Sequence, residues 1–401
     1  MDRVILHCDC NCFFASVEAT LDPILNTRAF AVCGDPELRH GIVLAKNEAA
    51  KKAGVKTGEA IWQAKQKCPR LQIVAPHYRL YKEYSEKIFG IYNRYTDLVE
   101  PYGIDECWLD VTGSVHLFGS GEKIANELRQ VIRREVGVTI SAGVSFNKIF
   151  AKMGSDYKKP DATTVLTREN FRDLLYPLPA GDLFMVGRHT ADKLRTLGIR
   201  TVGQLADADE NALRRLLGVN GSTLWRYANG YDYSPVVPAG ARPPWKSIGN
   251  GATFRHDLTD AEQVRTCVFF LCDKVAARLR KHGVECSAIT VAIRDTALNN
   301  ITRSAQLPYP TDLSFDLRAA ALALIAANVN PAREPIRALS VCGTKLLKNE
   351  EICEQISLFD LGYHLKRERE QKLEAVGDTI RHRYGLGTLT RCSLLQNDYG
   401  L

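Results

Sequence analysis

Two adjacent carboxylates interrupt a strand-like run, Tyr102-Gly103-Ile104-Asp105-Glu106-Cys107-Trp108-Leu109-Asp110-Val111. Neighbouring residues of a regular strand point to opposite faces, so Asp105 and Glu106 can serve one site only if the chain bends there. Gly103 permits such a bend. Two hard oxygen ligands at a sheet edge would suit Mg²⁺. The alternative is a solvated hairpin turn, and the stretch alone favours that alternative, because Asp and Glu are ordinary turn and surface residues.

Composition places the chain among globular proteins. Its 401 residues suffice for two to four domains, and the apolar and charged fractions are ordinary. We expect a cytoplasmic protein with reduced thiols, because there is no membrane-length apolar run, no signal-peptide pattern at the start and no CxxC pair among the twelve cysteines. The formal net charge of +7 permits a nucleic-acid partner without requiring one.

The first 160 residues predict an α+β domain around the hairpin. Residues 4–9 resemble a buried strand that ends in Asp9, and a helix follows at 13–21. After the hairpin, helices are expected at 122–136 and 148–157, with a strand at 139–145 between them. This order predicts a mixed sheet with helices on one face. The first strand and the hairpin would be neighbours, which brings Asp9 near Asp105 and Glu106.

Two further regions follow. Residues 167–235 alternate short helices with glycine, and the segment Gly187–Gly203 resembles a helix-hairpin-helix that offers backbone N–H groups to a DNA phosphate; an ordinary αα-hairpin is the alternative. Beyond a Pro-rich linker, residues 246–347 predict a βαββαβ unit, the split-βαβ pattern. Residues 242–347 hold 14 Lys and Arg against 9 Asp and Glu, which suits a DNA duplex, or else a merely solvated basic face.

Three carboxylates, Asp9, Asp105 and Glu106, could hold two Mg²⁺ roughly 3.5–4 Å apart. Without metal the clustered carboxylates would repel and raise one another's pKa, and bound metal would remove that cost. Lys159 and Lys51 are candidate cations for a triphosphate, although a Lys-Lys-Pro run is most often a solvated loop.

Several motifs together resemble those of the Y-family (DinB, polymerase IV-like) translesion DNA polymerases. They cover nearly the whole chain. The matching stretches are Asp9-Cys10-Asn11-Cys12-Phe13-Phe14-Ala15-Ser16-Val17-Glu18, Gly103-Ile104-Asp105-Glu106-Cys107-Trp108-Leu109-Asp110-Val111-Thr112, Asn147-Lys148-Ile149-Phe150-Ala151-Lys152-Met153-Gly154-Ser155-Asp156 with Lys159-Pro160, and Lys246-Ser247-Ile248-Gly249.

The resemblance implies an α+β multidomain, right-hand polymerase. Its parts would be a ferredoxin-like palm (1–11 and 78–166), small fingers (12–77), a helical helix-hairpin-helix thumb (167–234), a linker (235–245), a split-βαβ little finger (246–347) and a tail (348–401). The implied activity is template-directed DNA synthesis past damaged bases by two-metal nucleotidyl transfer, without proofreading. The implied partners are primer-template DNA, deoxynucleoside triphosphates and a sliding clamp, with no membrane, and we expect a monomer.

The resemblance also implies roles for individual residues. Two Mg²⁺ would be held by the side chains of Asp9, Asp105 and Glu106, with the backbone carbonyl of Cys10 as an extra ligand. Phe14 matches the steric gate that rejects a ribose 2′-OH. The nucleotide-binding set would be Phe13, Phe14, Lys51 and Lys159. The tail segment Gln355–Phe359 resembles a bacterial clamp-binding peptide, with Gln355, Ser357, Leu358 and Phe359 as its contacts.

Four positions depart from the family pattern. Asn11 replaces an Asp whose side chain the family does not need for metal, and Gly103 replaces a Ser. Glu48 and Lys51 stand where the family has a Tyr and an Arg that contact the triphosphate. Glu48 would repel a triphosphate unless it turns outward or pairs with a Lys. These departures keep open a non-catalytic, DNA- and clamp-binding member of the same fold, whereas a nucleotidyl cyclase would not explain the C-terminal regions.

Overall fold

The computed structural model describes residues 2–35, 37, 39, 41–238, 240–241, 244–352, 361–385, 388–395 and 398–401. The chain forms two compact units. Unit 1 comprises Met1–Gly34 and Ile42–Arg242, and unit 2 comprises Asp35–Gly41 and Pro243–Leu401. The proposed clamp-binding segment Gln355–Phe359 lies outside the described residues. No helix in the described part of the chain is long and apolar enough to cross a membrane.

Unit 1 begins with a strand, a helix and a small three-stranded sheet. These elements are β1 (Ile5–Cys10), α1 (Phe13–Leu21), β2 (Phe30–Cys33), β3 (Val43–Lys46), α2 (Glu48–Lys52), α3 (Ile61–Lys67) and β4 (Gln72–Val74). The small sheet has the order β3-β2-β4. Its apolar core is separate from the main core and is built from short side chains such as Ala31, Val43 and Ala64.

The main sheet of unit 1 is completed by the next ninety residues. They form α4 (Tyr78–Tyr92), β5 (Val99–Pro101), β6 (Glu106–Asp110), α5 (Val115–Phe118), α6 (Gly121–Val136), β7 (Ile140–Ser145), α7 (Lys148–Tyr157) and β8 (Thr163–Leu166). The strand order is β5-β6-β1-β7-β8, so β1 is central, and all of its residues are buried. The first strand and the hairpin are therefore neighbours, as the sequence pattern predicts.

Helices cover both faces of this sheet, so the expectation of helices on one face was wrong. Leu6 and Cys8 of β1 pack into a core with residues of α4 and α6. His7 and Asp9 point to the opposite face, where they contact α7. Gly143 of β7 explains the close approach of α7, because a Cβ atom there would lie 1.9 Å from the Ala151 carbonyl oxygen.

The remainder of unit 1 is helical. It contains α8 (Phe171–Leu175), α9 (Arg188–Thr196), α10 (Val202–Ala206), α11 (Glu210–Leu217) and α12 (Val219–Ala228). The turn between α9 and α10 contains Gly198 at φ 75°, a left-handed conformation that favours glycine. Thr201 caps α10, since its side chain accepts a hydrogen bond from the backbone N–H of Gln204. This is the helix, Leu-Gly-Ile turn and helix that the sequence predicts.

Unit 2 has the βαββαβ order expected from its sequence. Its elements are β9 (Ser247–Leu258), α13 (Ala261–Lys281), β10 (Val284–Asp295), β11 (Asn300–Thr311), α14 (Ser314–Ala326), β12 (Ile336–Lys348), α15 (Leu361–Tyr384) and α16 (Cys392–Leu395). The antiparallel strands have the order β11-β10-β12-β9. The core of unit 2 includes Leu271 and Val275 of α13, Ile289 of β10 and Leu317 of α14.

Candidate active site

Strand pairing brings the three predicted carboxylates to one edge of the main sheet. Asp9 on β1 lies directly opposite Glu106 on β6. Asp105 belongs to the turn before β6, and its carbonyl oxygen accepts a 3.1 Å hydrogen bond from the Cys10 backbone N–H. The chain therefore bends between the two adjacent carboxylates. As a result, Asp105 lines the same cavity as Asp9, although regular strand alternation would send it to the other face.

Two lysines lie against these carboxylates. The Lys152 Nζ atom lies 3.0 Å from Asp9 Oδ2 and 2.5 Å from Glu106 Oε2. The Lys159 Nζ atom lies 2.8 Å from the same Asp9 oxygen and 2.7 Å from Asp156 Oδ1. Burial lowers the pKa of Lys152, but the surrounding carboxylates more than offset this and raise it overall. Both lysines therefore stay charged and neutralise part of the site.

The negative charge is distributed unequally over the site. Burial, together with the charges of Asp9 and Glu106, raises the pKa of Asp105 to about 6. Burial also acts to raise the pKa of Glu106, but the charge of Lys152 and the hydrogen bond that it donates outweigh burial and lower that pKa. The environment of Asp105 in the folded protein therefore disfavours its ionised form.

His7 lies directly behind Glu106 and is fully buried. The Ser155 hydroxyl donates its proton to the Lys152 carbonyl oxygen, so Ser155 Oγ accepts a 2.8 Å hydrogen bond from His7 Nδ1–H. Burial lowers the pKa of His7, which favours the neutral ring. The lone pair of Nε2 then faces Glu106 Oε2 at 3.4 Å and has no hydrogen-bond donor. Because a neutral ring carries no charge, Lys152 is the cation that keeps Glu106 ionised.

The donor set fits a divalent metal ion. Ligand atoms of His7, Asp9 and Glu106 all lie within 4.8 Å of one another. Asp105 adds a third carboxylate, whose pKa is raised first by burial and then by repulsion from the charges of Asp9 and Glu106. Carboxylate oxygens are the ligands that Mg²⁺ prefers, and a bound cation would relieve this repulsion. The three carboxylates are therefore a suitable metal-binding set.

A cavity of about 290 Å³ opens beside the carboxylates. Asp9 and Asp105 contribute acidic groups, and three lysines contribute positive charge. Its lining consists of Asp9, Cys10, Asn11, Cys12, Phe13, Leu44, Ala45, Lys46, Glu48, Lys51, Thr57, Asp105 and Lys159. The structure thus brings together most of the residues that the sequence singles out. The cavity combines carboxylates that suit a metal ion with cations that suit a phosphate chain.

Phe14 lies outside the cavity lining, next to Phe13, which is part of it. The Phe14 ring stacks on Tyr81 with the centroids 4.1 Å apart and an interplanar angle of 12°. The Tyr81 hydroxyl donates a hydrogen bond to Glu18, a buried carboxylate that also contacts His77 Nδ1 at 2.9 Å. The Phe14 ring is therefore supported by a second ring whose own position is fixed by a hydrogen bond.

Glu48 faces the cavity, which answers the question raised by the sequence. Its Oε1 atom accepts hydrogen bonds from Lys51 Nζ at 3.3 Å and from Cys12 Sγ at 3.4 Å. Burial, and after it the charge of Glu48, raises the pKa of the Cys12 thiol to about 11. The thiol therefore remains protonated and can donate a hydrogen bond. Glu48 is thus paired with a lysine, which offsets part of its charge, although its carboxylate still lies in the cavity lining.

Asn11 holds the loop that carries Lys159. Its side-chain oxygen accepts a 2.8 Å hydrogen bond from the Asp161 backbone N–H, and its side-chain nitrogen donates to Ser141 Oγ at 2.9 Å. Its third contact is a 3.0 Å hydrogen bond from the Thr139 hydroxyl. All three partners are protein groups, so the side chain serves the fold.

Sequence reasoning gave no role to several residues that shape the site. Lys152 belongs to one of the matching motifs, but no local pattern shows that its partner is Asp9, which lies 143 positions away. His7 could have been noticed two residues before Asp9, on the same face of a strand. Lys46 and Tyr81 resembled ordinary strand and core residues. The position of Lys46 immediately before Asn47, the N-cap residue of α2, could have indicated that Lys46 lies at the end of a strand.

Carboxylates at a sheet edge beside a lysine-lined cavity are typical of metal-dependent enzymes that transfer nucleotidyl or phosphoryl groups. Residues 8–156 match the impB/mucB/samB family, and residues 245–358 match the C-terminal domain of that family. The chain is 46% identical to the DNA polymerase IV of Acetivibrio thermocellus, over 100% of this chain and 99% of that protein. It is 37% identical to DNA polymerase IV 1 of Bacillus subtilis, over 99% and 94% of the two chains.

A solved structure has the same fold. It is a Y-family DNA polymerase chimera, with a TM-score of 0.76 and 24% sequence identity, and the match covers 86% of this chain and 100% of the chimera. The chain therefore belongs to the impB/mucB/samB family, the Y-family DNA polymerases.

Proposed function

We propose that this protein extends a primer along a DNA template by two-metal nucleotidyl transfer, that it does so past damaged bases, and that it has no proofreading activity. As a family member it is a DNA-directed DNA polymerase. One observation carries the mechanistic part: Asp9 lies opposite Glu106, Asp105 bends into the same cavity, and lysines line the other walls. We further propose that it acts as a monomer in the cytoplasm.

The three carboxylates would hold two Mg²⁺ ions, with the Cys10 carbonyl as an additional ligand. When bound, such a pair stabilises the attacking and leaving oxygens of an in-line displacement at phosphorus. Lys152 contributes by holding Asp9 and Glu106 in place through ion pairs with both carboxylates. Lys159 lies between the carboxylates and the open cavity, where its ammonium group can neutralise the charge of a triphosphate and of the departing pyrophosphate.

The proposed steric gate is Phe14, with Phe13 lining the cavity beside it. Stacking on Tyr81 holds the Phe14 ring in one orientation. A ring held in this way has little freedom to move aside for a ribose 2′-OH. Selection against ribonucleotides would therefore come from steric exclusion.

The family-based division of the chain gives each part a task. The palm (1–11 and 78–166) would carry the metal ligands, and the fingers (12–77) would contact the nucleotide. The thumb (167–234) and the little finger (246–347), joined by the linker (235–245), would hold the primer-template duplex through phosphate contacts. The antiparallel sheet of the proposed little finger and its basic composition support this assignment.

The tail peptide is a separate proposal. Gln355, Ser357, Leu358 and Phe359 would dock on a bacterial sliding clamp. Replacing Leu358 and Phe359 together by Ala should abolish clamp-stimulated synthesis and leave clamp-independent synthesis unchanged. If clamp stimulation survives the double substitution, the peptide has another role.

Primer extension tests the proposed function. Purified protein, Mg²⁺, four deoxynucleoside triphosphates and a primed template are combined, with one template intact and one carrying an abasic site. We expect extension on both templates and none with the Asp105→Ala variant. The second candidate, a DNA-binding protein without catalysis, would bind the primed template and extend neither. Extension that stops at the lesion would reject the translesion part alone.

A further inference from the structure

Lys46 lines the cavity but is not among the nucleotide-binding residues that the family resemblance implies. It is the last residue of β3 and pairs with Ala31 on β2. The next residue, Asn47, is held tightly: its side-chain oxygen accepts hydrogen bonds from the backbone N–H groups of Phe30 and Ala50. Lys46 is therefore presented from a fixed strand end at the wall of the cavity.

The three cavity lysines differ in their partners. Lys159 contacts two carboxylates, Asp9 and Asp156. Lys51 contacts one, Glu48, at 3.3 Å. Lys46 donates a 3.0 Å hydrogen bond to the Thr57 hydroxyl, a neutral group. In the part of the chain that the structure describes, no carboxylate lies within ion-pair distance of Lys46, so its charge is left uncompensated.

Glu48 makes Lys51 a less favourable partner than Lys46 for an anionic ligand. Its carboxylate lines the same cavity and forms an ion pair with Lys51 at 3.3 Å. A triphosphate that engaged Lys51 would have to compete with Glu48 and would lie beside its negative charge. Lys46 imposes neither cost, because a hydroxyl partner is exchanged for a phosphate oxygen without separating an ion pair.

We propose that Lys46 is the main fingers-side cation for the triphosphate, and that Lys51 is held by Glu48 and contributes less. This inference rests on the proposed polymerase function. The positive charge that binds the triphosphate on the fingers side would then come from Lys46 at the end of β3. The ion pair between Glu48 and Lys51 would weaken the contribution of α2. Two lysines, Lys46 and Lys159, then hold the phosphate chain from different walls of the cavity.

Steady-state incorporation of dATP opposite a template thymine tests the proposal. Lys46→Met should raise the KM for dATP about tenfold and change kcat less than threefold, because one charge-assisted contact is lost from binding. Lys46→Arg should restore most of the affinity. Lys65→Met, which removes an exposed lysine of α3, is the matched control and should leave KM unchanged.

A double-mutant cycle tests the role of Glu48. Lys51→Met should raise KM less than threefold in the native background, and by a larger factor in the Glu48→Gln background, where Lys51 is released. Glu48→Gln alone should lower KM. Equilibrium binding of dATP to the protein on a dideoxy-terminated primer-template should follow the same order, which separates binding from chemistry.

The outcomes distinguish the two proposals. If the native protein extends primers but Lys46→Met binds dATP as tightly as the native protein does, the Lys46 assignment is wrong while the polymerase function stands. A Lys51→Met effect larger than that of Lys46→Met would also overturn it. If the native protein extends no primer under any condition, the proposed function fails first.

Discussion

Replacing Asp105 by Asn should stabilise the metal-free protein while abolishing synthesis. The folded state raises the pKa of Asp105 from 3.8 to about 6. Below pH 3.8 both folded and unfolded chains hold the proton, so the residue has no effect on stability. As pH rises from 3.8 to 6 the unfolded chain releases the proton first, and the free energy of unfolding falls. The cost to the native protein is about 1.5 kcal/mol at pH 5 and about 3 kcal/mol above pH 7.

Thermal unfolding in EDTA between pH 4.5 and 7.5 measures this cost. A difference of about 3 kcal/mol corresponds to a melting temperature roughly 6–12 °C higher for Asp105→Asn at neutral pH, for a unit of this size. The difference should shrink towards pH 4.5. Asp97→Asn, which changes an exposed aspartate, is the control and should show no such trend. A variant that is less stable than the native protein at pH 7, or a difference that does not change with pH, would refute the reasoning.

Further substitutions test other parts of the site and fold. Phe14→Ala should allow ribonucleotide incorporation, and unchanged sugar selectivity in primer extension would reject the gate. Lys152→Met removes a largely buried cation between Asp9 and Glu106, so it should cost about 3 kcal/mol of stability in EDTA and less in Mg²⁺; equal losses in both buffers would argue against a metal-binding role for these carboxylates. Gly143→Ala should cost about 3 kcal/mol in urea unfolding, because α7 leaves no space for a methyl group. Gly90→Ala, at an open helical position, should instead stabilise by up to about 1 kcal/mol.

Much of the fold follows from local sequence patterns. The order of strands and helices in unit 1 places β1 beside the hairpin, and the βαββαβ order of unit 2 is directly visible in its periodicity. The bend immediately before Glu106 also follows, because two neighbouring carboxylates can share a site only if strand geometry breaks between them. These features depend on residues close together in the chain, where propensity and periodicity act.

What could not be predicted depends on distant contacts. The position of α7 on the second face of the sheet rests on Gly143, whose missing side chain is a packing requirement and leaves no periodic signal. Lys152 meets Asp9 and Glu106 only because α7 packs there. The pairing of Glu48 with Lys51 is a local i, i+3 contact, but its direction towards the cavity depends on how the small sheet meets α1.

Single-nucleotide incorporation as a function of Mg²⁺ concentration tests the central claim most directly. The native protein on a primed template should add one nucleotide at a rate that rises with Mg²⁺ and then saturates, and should release one pyrophosphate per addition. Asp105→Asn and Glu106→Gln, each shown to be folded and to bind the template, should add none at any Mg²⁺ concentration. Incorporation by either variant at a rate close to that of the native protein, or an absence of incorporation by the folded, DNA-bound native protein, would contradict the account.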